Sequence, residues 1–199
     1  MADERLGPQV AFLREADRLK GVLRRSYVLA GGRRENSAEH CWHVALAAIL
    51  LAEHAGEPVD VARVVRMLLI HDLVEIDAGD TFVYDPAAHV DKAAREQAAA
   101  TRLFGTLPAD QGAELEELWQ EFEARQTPDA RFAASLDRLL PMLHNLWSEG
   151  ASWREHGIRL SQVIEVNRHM AEGAPQLWAY IRPLLEDAAN RGLLARNGS

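Results

Sequence analysis

The stretch VALAAILLA, residues 44–52, constrains the fold most strongly because it is apolar nearly all round a helix. A helix of this kind is buried on all sides, which predicts a central helix packed among others. Ser37 can cap this helix, which the sequence predicts to run to about Ala55 and to stop at Gly56. The run is far too short to span a bilayer, so no membrane partner is expected.

Helical periodicity dominates the rest of the chain, whereas strand signals are weak: there is no sustained period-two alternation and no hairpin turn between apolar runs. Further helices are predicted at about 10–23, 61–76, 92–104, 108–122, 128–143, 153–171 and 176–189. Asp60 and Thr127 are predicted to cap the helices that follow them, and Pro141 predicts a kink or a break in the second of these. We interpret residues 81–91 as a loop and 193–199 as a frayed tail. The pattern predicts an all-α fold in a single domain over residues 1–199.

Composition excludes several classes of function. The 199 residues are 48% apolar and 26% charged, with a formal net charge of −8. An acidic chain without a basic recognition helix is poorly suited to coating nucleic acid, so no nucleic-acid polymer is expected as a partner. Cys41 is the one cysteine and the N-terminus has no signal-like apolar stretch, which favours a cytoplasmic location.

The string HDLVEIDAGD, residues 71–80, is the most informative for chemistry. His71 and Asp72 end an apolar helix, where an ionised carboxylate is costly unless it is paired or bound to a cation. Glu75 lies one turn further on the same face, and Asp80 follows Gly79. Four acidic or imidazole groups therefore converge, although an isolated His-Asp pair is more often a surface carboxylate beside a helix end.

A second cluster is AEHCWH, residues 38–43. His40 lies in the first turn of the apolar helix and His43 one turn on, and geometry alone leaves His43 as either a ligand or a core residue. Imidazoles with carboxylates suit Mn, Fe, Co, Ni or Zn, with Mg less suited. Cys41 has no partners that indicate a nucleophile, and Arg33-Arg34 match no phosphate-loop pattern, so a buried thiol and a solvated turn are the simpler interpretations.

Three segments together resemble the HD-domain superfamily of metal-dependent phosphohydrolases, in particular the bacterial 5′-deoxynucleotidases and the related eukaryotic HD-domain-containing proteins. The segments are RRENSAEH (33–40), HDLVEIDAGD (71–80) and SLD (135–137). The resemblance extends from about 12 to 185. It implies a helical bundle of the HD-domain type and one divalent metal ion held by His40, His71, Asp72 and Asp137, and it selects His40 over His43.

The same resemblance implies roles for three further residues. Glu75 would act near the attacking water, and Asp80 would act in catalysis and contact the substrate. An upstream arginine would hold the phosphate; Arg24 and Arg25 are the candidates, and spacing favours Arg25. Relatives commonly carry a tryptophan after that arginine, whereas this chain has Ser26 and Tyr27. That departure concerns sugar and base preference and not the metal.

The resemblance implies hydrolysis of a small-molecule nucleotide, a (deoxy)nucleoside 5′-monophosphate, to nucleoside and phosphate. Relatives are often dimers, so the resemblance also implies a homodimer. One alternative keeps the metal and changes the substrate to a triphosphate, a cyclic nucleotide or an alarmone. Another is a metal-binding or nucleotide-binding module without turnover, which the presence of Glu75 and Asp80 disfavours.

Overall fold

The computed structural model describes residues 2–30 and 32–195, and helices dominate this part of the chain. The prediction of an all-α fold is confirmed. In chain order the helices are α1 (Ala2–Ala16), α2 (Ser37–Leu51), α3 (Val61–Ile70), α4 (Glu75–Ala78), α5 (Lys92–Phe104), α6 (Ala109–Ala124), α7 (Pro128–Trp147), α8 (Ala151–Glu155), α9 (Leu160–Asn167), α10 (Met170–Gly173) and α11 (Pro175–Asn190). Two short strands are β1 (Leu23–Tyr27) and β2 (Arg34–Asn36). None of the described helices is both long and apolar enough to cross a membrane.

Helix α7 is the most deeply buried of the long helices. Phe132, Leu136 and Leu139 are buried in the main core, and α7 packs against α2, α3, α6, α10 and α11. Pro141 does not end it, because the helix continues to Trp147. The predicted break is therefore absent.

Helix α2 differs from the prediction that it is buried on all sides. Its inner face, which includes Val44 and Ala48, is fully buried, but Trp42, Ile49 and Leu50 are each about 60% exposed. Only one side of the apolar run is buried, and the other side leaves an apolar stripe exposed. The tertiary arrangement decides this, because α3 and α7 contact α2 from one side only.

Side-chain caps fix the starts of α2, α3 and α7. Asp60 caps α3 by accepting from the backbone amides of Ala62 and Arg63, and the Thr127 hydroxyl caps α7, as predicted. Ser37 is not the cap of α2. Asn36 is, in a capping box with Glu39, which leaves the Ser37 hydroxyl free for another acceptor.

The predicted helix over 10–23 is wrong in its second half. Helix α1 ends at Ala16, a 3₁₀ turn follows to Gly21, and β1 begins at Leu23. Strand β1 pairs antiparallel with β2, Leu23 opposite Asn36 and Tyr27 opposite Arg34. Pairing with a segment ten residues away gives this strand its hydrogen bonds, so the local pattern did not reveal it.

Three further boundaries differ. Helix α3 ends at Ile70, so 71–74 form turns before α4. The predicted helix 153–171 is divided into α8, α9 and α10, with Gly157 in a left-handed conformation after the first. In the predicted frayed tail, Leu193 and Leu194 are buried in the core, while 196–199 lie outside the described residues.

Candidate metal centre and adjoining cavity

Four predicted ligands from three parts of the chain lie close together. His40 comes from the first turn of α2, His71 and Asp72 from the turn after α3, and Asp137 from the middle of α7. Their exposed fractions are 0%, 4%, 7% and 9%. We call these four residues the candidate metal centre.

The ligand atoms of this centre face one another. His40 Nε2 lies 2.9 Å from Asp137 Oδ1, and His71 Nε2 lies 3.1 Å from Asp72 Oδ1 and 3.6 Å from Asp137 Oδ1. One donor atom from each of His40, His71 and Asp72 lies within 4.8 Å of the others. Two imidazoles and carboxylates at these separations form a donor set that suits a divalent transition metal.

The hydrogen bonding of His71 fits metal binding. Its Nδ1 lies 2.9 Å from the Leu68 carbonyl oxygen, so Nδ1–H donates there and the lone pair stays on Nε2. Within the described residues, Nε2 is buried and has no hydrogen-bond partner. A buried, unpartnered acceptor nitrogen pointing at two carboxylates is the arrangement that a cation would complete.

Negative charge accumulates around Arg24. Its Nη1 lies 2.6 Å from Asp72 Oδ2 and 4.0 Å from Asp80 Oδ1, and its Nη2 lies 3.9 Å from Asp137 Oδ1. Burial would lower the pKa of Arg24, but Asp72, Glu75 and Asp80 outweigh it and raise the pKa. One guanidinium among three buried carboxyl groups and the half-buried Asp80 leaves a deficit of positive charge that a divalent cation would offset.

Glu75 and Asp80 adjoin this centre. The Ser37 hydroxyl donates to Glu75 Oε2 at 2.7 Å. Burial and then the nearby Asp72 carboxylate raise the pKa of Glu75 to about 8, against the effect of Arg24. Burial also raises the pKa of Asp80. Gly79, at φ 76°, supplies the positive φ that turns the chain between α4 and Asp80.

A cavity that is open to solvent lies beside the centre. It is lined by Arg24, Arg25, Ser26, Asp80, Thr81, Phe82, Val83, Tyr84, Arg138, Pro141, Met142, Asn145, Ser152, Trp153 and Asn167. Arginines and Asp80 therefore meet aromatic and apolar side chains in one space. The Arg25 guanidinium lies 5.8 Å from the centre of the Phe82 ring.

Alternation along β1 separates the two candidate arginines. Arg24 and Ser26 point inward, Arg24 to Asp72 and Ser26 to Glu35 at 2.8 Å. Arg25 is exposed at the cavity and, among the described residues, forms no ion pair with a carboxylate within 4.0 Å. Sequence reasoning missed the inward position of Arg24, and it missed Glu35 and Ser37, although both lie within the segment 33–40.

The HD-domain family model matches residues 16–178. The chain belongs to the HD-domain family. The segment that this match covers holds all four residues of the candidate metal centre, together with Glu75 and Asp80.

Curated relatives are similar in sequence over much of this HD-domain chain. The chain is 33% identical to the 5′-deoxynucleotidase HDDC2 of Bos taurus and 32% identical to that of Homo sapiens, in each case over 128 residues, 64% of this chain and 61% of the relative. The matched region therefore spans about 61% of the length of these curated relatives.

Solved structures agree with the fold. The crystal structure of a predicted metal-dependent phosphohydrolase from Magnetospirillum magnetotacticum MS-1 matches with TM-score 0.91 and 53% identity, covering 96% of both chains. A conserved hypothetical protein from Pyrococcus furiosus matches with TM-score 0.61 and 21% identity over 91% of this chain and 99% of its own. The second likeness concerns the fold alone.

Proposed function

We propose that this HD-domain protein is a metal-dependent phosphohydrolase that converts (deoxy)nucleoside 5′-monophosphates to nucleoside and phosphate. The observation that carries the proposal is the buried donor set of His40, His71, Asp72 and Asp137. Arg24, which contacts Asp72, also lines the adjoining cavity, together with Arg25 and aromatic rings. The similarity to proteins named 5′-deoxynucleotidases and metal-dependent phosphohydrolases supports the same chemistry.

In this proposal the four residues of the candidate metal centre bind one divalent ion of the Mn, Fe, Co, Ni or Zn group, for which Mg is a poorer substitute. Such an ion supplies activation of a water molecule and compensation of charge on the phosphoryl oxygens. Burial keeps bulk water away from the ligands. The Leu68 carbonyl holds the His71 ring in the tautomer that presents Nε2.

Glu75 is proposed as the base. Its carboxylate takes a proton from the attacking water, and a pKa near neutrality suits that task. Asp80, which lines the cavity, is proposed to bind the ribose or to assist the leaving 5′-oxygen. Ser37 holds the Glu75 carboxylate in place through its hydroxyl.

Arg25 is proposed to bind the phosphate. It lines the cavity and is not engaged by a carboxylate within the described residues, whereas Arg24 is held by Asp72. Arg24 then fixes the carboxylates of the centre. Phe82, which is half-buried and lines the cavity, offers apolar surface for a nucleobase.

The test is phosphate release from a nucleotide panel by the purified protein with Mn²⁺ or Co²⁺, beside an Asp72→Asn control. We expect release from 5′-monophosphates, with deoxy substrates included, and none from the control. No release from any monophosphate would refute the proposal. Products from triphosphates, cyclic nucleotides or alarmones would support the alternative substrates, and a Glu75→Gln variant with unchanged behaviour would support a module without turnover.

We also propose that the protein is a cytoplasmic homodimer. The apolar stripe of α2 and a groove between α7 and α11 lined by Leu143, Trp147 and Tyr180 offer a surface for a second copy. Trp147 is 50% and Tyr180 64% exposed, which is unusual for large apolar side chains. Light scattering should give twice the chain mass, and a monomer at micromolar concentration would refute this.

A further inference from the structure

A second group of potential metal ligands lies outside the candidate metal centre. Glu35 on β2, His43 on α2 and His144 on α7 place one donor atom each within 4.8 Å of the other two. Glu35 is 2% exposed and His144 4% exposed, while His43 is half-buried. The phosphohydrolase chemistry proposed above uses none of these three side chains.

The helices explain why this second group forms. His43 follows His40 by three residues on α2, and His144 follows Asp137 by seven on α7, so each pair shares a helix face. Helices α2 and α7, which carry His40 and Asp137 of the first centre, therefore also bring the imidazoles of His43 and His144 together. The two rings lie with centroids 5.4 Å apart. Glu35 then reaches in from β2.

The bonding of these side chains is incomplete. His144 Nδ1 lies 3.7 Å from Glu35 Oε1, and within the described residues it is buried without a hydrogen-bond partner. Burial lowers the pKa of both His43 and His144, so both imidazoles are neutral near pH 7 and retain a lone pair. Two neutral imidazoles and a buried carboxylate are a donor set for zinc-like ions.

We infer that Glu35, His43 and His144 form a second site for a divalent transition-metal ion, separate from the candidate metal centre. Ligands about 2.1 Å from a tetrahedral ion lie about 3.4 Å from each other. The 3.7 Å between His144 Nδ1 and Glu35 Oε1 therefore needs only a small contraction. His43, which is half-buried, gives the ion a way in from solvent.

The second site would act on the first through Glu35. Glu35 Oε2 lies 3.6 Å from His40 Nδ1 and accepts from the Ser26 hydroxyl. An ion on Oε1 would fix the carboxylate between the two histidines, and the carboxylate would orient His40 from behind. This assigns the second ion a role in positioning His40.

The experiment measures bound metal and not activity. The full chain is stripped with a chelator, loaded with excess Zn²⁺, desalted and analysed by elemental mass spectrometry. We expect two equivalents in the wild type, and one each in His43→Gln, His144→Gln and Asp72→Asn. His54→Gln is the matched control, because His54 contacts Gln176 and neither cluster, and it should keep two.

Circular dichroism must show that the variants are folded, and His43→Gln, at a half-buried position, keeps the test valid if His144→Gln does not fold. One equivalent in the wild type, lost in Asp72→Asn, would overturn the second site while leaving the proposed function intact. Two equivalents in both histidine variants, or loss of all metal in either, would also overturn it.

Discussion

Replacing Ser37 with alanine tests the proposed base most directly. The Ser37 hydroxyl donates to the buried Glu75 carboxylate at 2.7 Å, and this hydrogen bond lowers the pKa of Glu75 against the effect of burial. A hydrogen bond to a charged group contributes about 1.5–3 kcal/mol. At about 1.4 kcal/mol per pKa unit, its loss should raise the pKa of Glu75 by about one to two units.

The sign follows from the role of Glu75. The ionised form is the base, so activity falls as the pH drops through its pKa. In Ser37→Ala the acidic limb of the kcat/KM profile against pH should therefore move to higher pH by about one to two units. The measurement is phosphate release from a 5′-monophosphate across pH 5 to about 10, at a fixed concentration of Mn²⁺.

Ser26→Ala is the matched control. It removes a hydroxyl that is also buried and that donates to a different buried carboxylate, Glu35, at 2.8 Å, so the acidic limb should stay in place even if KM changes. If the limb does not move in Ser37→Ala, or moves equally in both variants, Glu75 is not the group that sets it.

Three further predictions concern phosphate binding, the core and pH. Arg25→Ala should lower kcat/KM about 10- to 100-fold, the loss of a charge-assisted hydrogen bond, and a change under twofold in steady-state assays would contradict the assignment. Leu136→Ala should lower the free energy of unfolding, measured with denaturant, by about 2–5 kcal/mol, because Leu136 is fully buried in the core. A loss below about 1 kcal/mol would mean that the surrounding core closes the space left by the side chain. Burial, with Arg125 and Arg138, lowers the pKa of His169 to about 4. The unfolded chain, with its histidine pKa near 6.5, therefore binds the proton first, and stability should fall from about pH 6.5 down to 4. In His169→Gln, thermal melts should show a smaller loss of stability between about pH 6.5 and 4, whereas above pH 7 the two proteins should depend on pH in the same way. Curves of stability against pH that stay parallel down to about pH 4 would disprove the assignment.

Metal removal gives a prediction for the whole fold. An ion present at 100 times its Kd stabilises the folded state by about 2.7 kcal/mol. For a chain of this size, each kcal/mol corresponds to about 2–4 °C in Tm. Chelation should therefore lower Tm by about 5–10 °C, and re-addition of Mn²⁺ should restore it; an unchanged Tm would mean that the centre binds no ion.

The sequence alone determined the features that depend on neighbours within a turn or two. The caps at Asp60 and Thr127 follow from side chains that accept from backbone amides two or three residues on. The helix Lys92–Phe104 follows from the pattern of its own residues. The segment HDLVEIDAGD likewise indicated the metal chemistry. His40 and Asp137 came from the family resemblance, because no local rule links positions 97 residues apart in sequence.

Only the tertiary structure decided what depends on distant partners. Strand β1 exists because β2 pairs with it, and the alternation along β1 sends Arg24 to Asp72 and leaves Arg25 at the cavity. The apolar run of α2 is half-exposed because its neighbours cover one face. His43, which local geometry left open, lies beside Glu35 and His144. Burial and pairing are properties of surfaces that meet across the fold, and periodicity records only what one segment offers to them.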